Sequence, residues 1–315
     1  MTKVLGQPWI VKTHTRLRRV NYTNLAVYVI LLFISYQFIY PLLRMFTMSF
    51  MATEDILNPM VNWIPRTWTF FNMQIASRVM RFSTTLFNSV WFSGILALGQ
   101  TVVSALTGYA LARFNVRFKQ VWFVLLILTF ILPAPVLLVP RIMMLVSFGE
   151  MTGFIVFGTV YPQIAMAFLG QGMFSAILIL IFYNFTRMIP QALDEAAAID
   201  GASPFGVFYH VTIKLSVTTM LVVFLLSFVW NWNETYVTGV ILRGGLDLIT
   251  SRLQDFNAIF ADTGADRIEG TEELRINEAF RMAGTLVSIT PLFALYLLVQ
   301  KQFIRGIENT GLTGI

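Results

Sequence analysis

The stretch Pro190-Gln191-Ala192-Leu193-Asp194-Glu195-Ala196-Ala197-Ala198-Ile199-Asp200-Gly201-Ala202-Ser203-Pro204 is polar and alanine-rich, and it lies between two of the most apolar runs in the chain. Read locally, it is two short helices joined at a glycine. Pro190 suits a first helical turn, and Asp194 and Glu195 fall near the positive end of that helix's dipole. Gly201 fits the left-handed position that ends a helix. Ser203 followed by Pro204 reads as the N-cap and first turn of a second helix. Ala192, Leu193, Ala196 and Ile199 are spaced to share one face. That face is small, so another protein's surface can approach the backbone closely. On spacing alone, an ordinary amphipathic loop between two membrane spans reads equally well.

The composition sets the environment of that loop. Hydrophobic residues make up 57% of the chain and charged ones 12%, with mean hydropathy +0.71. That is too apolar for an ordinary soluble domain. Several runs exceed the ~20 apolar residues that a bilayer-spanning helix needs. The expected class is an all-α polytopic membrane protein. The net charge of +6 does not indicate a nucleic-acid partner, because the basic residues stand at the ends of apolar runs and not on one patch. With no cysteine, disulfides and thiolate chemistry are excluded.

Six transmembrane helices are expected. Residues 1–24 form a polar tail with Lys3, Lys12, Arg16, Arg18 and Arg19, and the first span covers Leu25–Leu43. Residues 44–83, with Pro59, Trp63, Pro65 and Trp68, read as an external loop with an interfacial aromatic belt. The second span covers about Thr84–Ala112, and the third about Gln120–Val139, where Pro133, Pro135 and Pro140 imply a kink or early exit. Residues 141–152 are expected to be a short external connection. Pro162 is expected to separate a short surface or re-entrant segment from a fourth span at about Ala165–Phe185. The polar loop follows at 187–212, a fifth span at about 213–239, an acidic external loop at 240–276 and a sixth span at about 280–300, within a membrane domain of 25–301. Residues 302–315 form a tail.

Charge orients these spans. Arg113, Arg117, Lys119, Arg187, Lys214, Lys301 and Arg305 lie on the face of the basic tail, in short segments near span ends. On the other face, Arg243, Arg252, Arg267, Arg275 and Arg281 belong to a long loop and its exit, where acids outnumber them. Short loops weigh more, so both termini and the 187–212 loop are expected in the cytoplasm.

Catalytic equipment is missing from the sequence. His14 and His210 have no partners at metal-ligand or acid–base spacing, and no GxxxxGK[ST] phosphate loop is present. If ATP drives this protein, another chain binds it. An acid within a span is a functional candidate by default, and Glu234 in Trp230-Asn231-Trp232-Asn233-Glu234 interrupts an apolar run. Counted from Ile213 it lies about 30 Å along the fifth span, near the outer boundary and not at the bilayer centre. Trp232, Asn233 and Glu234 combine an apolar ring with polar groups, as a sugar contact requires. An interfacial Trp belt with a snorkelling acid is the competing reading. Small residues in the second and fourth spans, among them Gly99, Ser104, Gly108, Gly170 and Ser175, read as helix–helix packing positions. Gln100 and Gln171 are the exceptions assigned to a substrate path.

Glu195-Ala196-Ala197 with Asp200-Gly201-Ala202-Ser203 and Phe208 resembles the EAA loop of binding-protein-dependent ABC importer permeases, most closely the MalG-like carbohydrate branch. The likeness continues outside the loop. Pro65 through Asn72, Asn88-Ser89, Tyr109 through Phe114, Trp232-Asn233-Glu234 and Gln300 through Gly306 are similar to family signatures in the same order. Two prolines usual in the family are replaced, by Lys214 and Thr218, which removes the rings that would bend the chain into the fifth span. The external loop at about 261–276 looks longer than usual. The resemblance implies a type I importer permease fold in a bacterial cytoplasmic membrane. It further implies a second permease, two ATPase subunits that bind ATP and Mg and touch Glu195, Ala196, Ala197, Asp200, Gly201 and Ala202, and an external solute-binding protein docking near the long loop. A sugar, oligosaccharide first, is the implied solute. Glycerol phosphate or a polyol is the alternative, and an ion-coupled secondary transporter is a more distant one.

Overall fold

The computed structural model describes residues 22–61, 63–262 and 278–311, with side chains described between 24 and 301. The basic residues of the N-terminal tail, the side chains of the C-terminal signature beyond Lys301 and most of the long acidic loop lie outside the described residues. Helix is the dominant structure. Beside it, one isolated antiparallel bridge joins Met51 to Trp68.

In chain order the helices are α1 (Tyr22–Ser49), α2 (Thr53–Leu57), α3 (Phe71–Val79), α4 (Phe82–Arg113), α5 (Lys119–Ile131), α6 (Ala134–Thr152), α7 (Tyr161–Phe168) and α8 (Ser175–Met188). They continue with α9 (Gln191–Ile199), α10 (Pro204–Val207), a π-helical turn at Phe208–Thr212, α11 (Ile213–Leu215), α12 (Val217–Asn233), α13 (Tyr236–Leu242), α14 (Ile249–Gln254), α15 (Phe256–Asp262) and α16 (Glu278–Gly311). Among the described residues, α1, α4, α6 and α16 are each long and apolar enough to cross a membrane. Two bent pairs, α8 with α9 and α10–α11 with α12, raise the number to six if each counts as one crossing.

The long helix α4 is the hub. It packs on α8, α12 and α7, while α16 packs on α1, α3 and α12. Close approach has a cause in the sequence: a Cβ on Gly108 would stand 2.7 Å from Cβ of Phe182 on α8. One buried cluster joins Met80, Ala97, Phe228, Trp232, Phe256 and Phe280, and a second joins Ala105, Tyr109, Leu178, Phe182, Phe208 and Val223. By contrast α1 exposes apolar side chains all round from Leu25 to Leu43, as a helix facing lipid does.

Several boundaries differ from the sequence reading. Residues 71–79, expected in an external loop, form α3, which with its C-cap Met80 buries Ile75, Ala76 and Val79 in the core. The expected connection at 141–152 is the body of α6, which runs through Gly149 and ends only at Gly153 (φ 74°). Pro162 does not divide the fourth span. It occupies the first turn of α7, and the break comes at 169–174, between α7 and α8. The acidic 240–276 segment is partly core, since Ile249, Phe256 and Phe260 are buried. The backbone beyond 301 continues as helix to Gly311.

The bend into the fifth span exists without its prolines. α10–α11 meet α12 at 79°. The π-helical turn lengthens one hydrogen-bonded loop, with the Ile213 N–H donating to Phe208 O. The Ser216 N–H then reaches Thr212 O (2.9 Å) and Ile213 O (3.1 Å), and its hydroxyl also donates to Ile213 O (3.2 Å). A hydroxyl that bonds a carbonyl one turn back favours bending, and here it adds to the π-helical turn.

Candidate functional site

The loop at 190–204 folds as its residues dictate. α9 ends in paired bonds, Ala202 N–H to Ala197 O (2.9 Å) and Gly201 N–H to Ala198 O (3.0 Å), with Gly201 at φ 86°. This is the Schellman closure, and its left-handed residue favours glycine on torsional grounds. A Cβ at Gly201 would meet nothing, so the requirement is conformational and not steric. Ser203 Oγ accepts from the Gly206 N–H (3.2 Å) and caps α10. No residue of α9 is fully buried, and Ile199 is 85% exposed. The helix is a projecting rod.

The rod is fixed to the bundle by a charge that sequence reasoning passed over. Arg113, in the last turn of α4, places Nε 2.6 Å from Asp194 Oδ2, with side-chain exposures of 8% and 17%. The two meet as a charge contact without hydrogen-bond alignment at Nε. Another guanidinium nitrogen, Nη2, donates to Ile189 O (2.8 Å), just before the rod. Glu195 stands beside this pair in a cleft with Tyr109 and Pro204, and it is in no ion pair among the described residues. Asp194 therefore holds the rod, and Glu195 remains exposed.

Farther along the bundle, a cavity of about 130 Å³ opens where the fourth span breaks, several-fold more than the ~15 Å³ that one water occupies. Its polar wall comprises Arg141 of α6, Gln163 of α7, Gln171 in the break, Asn231 of α12, and Glu234. The break is held open by Gln100, which is 0% exposed. Its Nε2 donates to Met173 O (2.7 Å) and Ser175 Oγ (2.9 Å), and its Oε1 accepts from Ser227 Oγ (2.5 Å) and Asn231 Nδ2 (2.7 Å). All four hydrogen-bonding positions of that amide are used. A Cβ on Gly172 would come 2.5 Å from Gln100 Nε2, so the backbone there passes directly over the amide.

Of the five residues expected on a substrate path, Glu234 and Gln171 border the cavity. Gln100 lies one layer behind it. Trp232 is in the core against Phe228, and Asn233 faces outward with its amide donating to Val229 O. The Glu234 carboxylate is turned into the start of α13, where it accepts from Val237 N–H, Thr238 N–H and Thr238 Oγ1 at 2.8, 2.8 and 2.6 Å. Arg141, Gln163 and Asn231 were not singled out from sequence. Arg141 carries the one signal that was available, a cation within an apolar run.

The fold as a whole has a counterpart among known structures. A bacterial ABC transporter involved in the import of the acidic polysaccharide alginate, known from a crystal structure, superposes with a TM-score of 0.74 at 19% identity, covering 91% of this chain and 98% of that one. At that identity the likeness is one of fold. The sn-glycerol-3-phosphate transport system permease protein UgpE of Shigella flexneri is 29% identical over 258 residues, 82% of this chain and 80% of the relative. The UgpE of Pectobacterium atrosepticum is 24% identical over 278 residues, covering 86% and 91%. Residues 100–309, well over half of the chain, match the family described as the binding-protein-dependent transport system inner membrane component. The chain belongs to that family: it is a multi-pass ABC importer permease of the bacterial inner membrane, not itself an enzyme, working with ATP-hydrolysing subunits that are separate chains.

Proposed function

We propose that this chain forms half of the translocation path of an importer for carbohydrates, oligosaccharides first among them, and takes the motor's stroke through α9. The projecting rod carries the reading: a helix with no buried residue, tied at its base to the hub helix α4 by Arg113–Asp194. A second homologous permease completes the path. A dimer of ATPase subunits, which binds ATP and Mg, meets the rod at Glu195, Ala196, Ala197, Asp200, Gly201 and Ala202, and an extracytoplasmic binding protein delivers the solute. Rod and termini face the cytoplasm, in keeping with the basic residues of the short loops. Closure of the ATPases displaces the rod as a rigid body, and the tie passes the motion to α4 and from there to the cavity.

Glycerol phosphate is a second reading for the solute, favoured by the Arg141 guanidinium in the cavity wall and by the relatives named as sn-glycerol-3-phosphate permeases. Gly201→Asp and Glu195→Lys test the coupling. Both are expected to abolish uptake and binding-protein-stimulated ATP hydrolysis in the assembled importer while the subunit stays in the membrane at normal abundance. Wild-type uptake in either variant refutes the rod's role.

A further inference from the structure

We infer that the cavity at the broken fourth span is a binding site for a polyhydroxylated anion, with Arg141 holding the anionic group and Gln163 a hydroxyl. The inference rests on the transport reading above and adds the chemical class of the solute.

Arg141 is a cation on a helix long and apolar enough to cross a membrane, half-buried and bordering the cavity. Such charges are costly in a membrane and are retained where they pair or meet a solute. Among the described residues Arg141 is in no ion pair. Its Nη2 donates a hydrogen bond to Gln171 O (3.1 Å), which fixes the side chain against the broken segment. A guanidinium has five N–H donors in a planar fork, so most of that fork remains for a carboxylate or phosphoryl group.

Gln163 is the second observation, and it is independent of Arg141. It is 8% exposed and lines the same cavity. Its Nε2 donates to Thr238 Oγ1 (2.8 Å), which fixes the amide's orientation, whereas Oε1 accepts no hydrogen bond from the protein. A buried acceptor left unpaired costs about 1–3 kcal/mol. A ligand hydroxyl at this position would remove that cost.

Glu234 is the charge in the same wall that opposes an anion, and hydrogen bonds hold it toward α13. Its two oxygens are occupied by three donors of α13. One wall therefore offers free cationic donors and a free acceptor, while its carboxylate is engaged. A neutral sugar would use the acceptor and leave the guanidinium unmatched. An anion without hydroxyls would do the reverse. Sugar acids and polyol phosphates satisfy both.

The test uses the assembled importer in vesicles, with this chain, its partner permease, the ATPase and the binding protein. Uptake is measured with three labelled probes: sn-glycerol 3-phosphate, a uronate disaccharide and a neutral disaccharide. The expected result is uptake of one of the two anions in preference to the neutral sugar, and which one distinguishes phosphoryl from carboxylate. Arg141→Gln should lower that uptake about tenfold or more, the factor expected for losing a charge-assisted hydrogen bond. Arg141→Lys should recover part of it, which a purely structural Arg141 would not require. Co-purification of each variant with the ATPase subunits confirms assembly. Preference for the neutral disaccharide, uptake of none of the probes, or anion uptake indifferent to Arg141→Gln in an assembled complex overturns the site. Failure of the wild-type importer to hydrolyse ATP in response to the loaded binding protein would instead refute the transport reading beneath it.

Discussion

The rod and the cavity wall are built on opposite principles. The rod comprises nine consecutive residues, Gln191–Ile199, whose backbone bonds run between near neighbours, and the Arg113–Asp194 charge contact ties it to the bundle. The cavity wall draws on α4, α5, α6, α7, α8, α12 and α13, and the Gln100 amide behind it bonds to residues 73 to 131 positions away. The rod's tie is ionic and lies at the edge of the bundle, with side-chain exposures of 8% for Arg113 and 17% for Asp194. The cavity's tie is neutral, fully buried and saturated. The Gln100 amide, which supports the cavity from behind in a low-dielectric interior, has every polar atom matched.

The largest stability effect should therefore come from the cavity's tie. Gln100→Leu is nearly isosteric but leaves Met173 O, Ser175 Oγ, Ser227 Oγ and Asn231 Nδ2 without their shared partner. An expected cost of about 3 kcal/mol follows from several unpaired buried groups, softened by rearrangement of the two hydroxyls. Thermal unfolding of the purified subunit checks it. A loss below 1 kcal/mol would mean that the wall is held by packing and not by the amide.

Cutting the rod's tie should cost less. Arg113→Ala leaves Asp194 without its cation, but Asp194 keeps 17% of its side chain exposed, so about 2 kcal/mol is expected, below the ~3–5 of a fully enclosed pair. The double change Arg113→Met with Asp194→Leu should be milder than the single one, because no charge is left unmatched. Coupling is the sharper readout. Both variants should lose most of the binding-protein stimulation of ATP hydrolysis, since either frees the rod from α4. If the single change destabilises more than Gln100→Leu, the contrast between the two regions is inverted.

The same contrast explains what could be read in advance. Gly201, Ser203 and the small face of α9 were legible because caps and left-handed turns are determined by residues within one or two turns. Asp194 was read as a dipole complement when its partner is Arg113, a pairing that only the packing of α8 on α4 brings about. Gln100 was marked as a polar exception in an apolar span, which is a local fact. Its role depends on a break in α7–α8 that was expected at Pro162. Proline at the start of a helix is compatible with it, and the break instead follows Gly170 (φ 74°) and Phe174 (φ 54°), the latter a left-handed residue that no sequence rule favours. Trp232 fell to the core for a related reason. Its neighbours Asn231 and Glu234 face the cavity, and helical geometry turns the tryptophan between them elsewhere.

The bend before α12 gives the smallest effect and tests whether two different local causes are interchangeable. Ser216 and the π-helical turn already produce 79° of bending where the family usually has prolines. Thr218 lies in the first turn of α12, where backbone N–H groups have no partner within the helix. Thr218→Pro therefore removes no helical hydrogen bond, and its fixed φ matches the helix it enters. The expected change is within about 0.5 kcal/mol, with uptake unaltered, by thermal unfolding and transport on the same preparation. A loss of 2 kcal/mol or more would show that the serine-built bend positions the rod differently from a proline-built one. The rod's attitude relative to α4 would then be a property of this chain and not of its family.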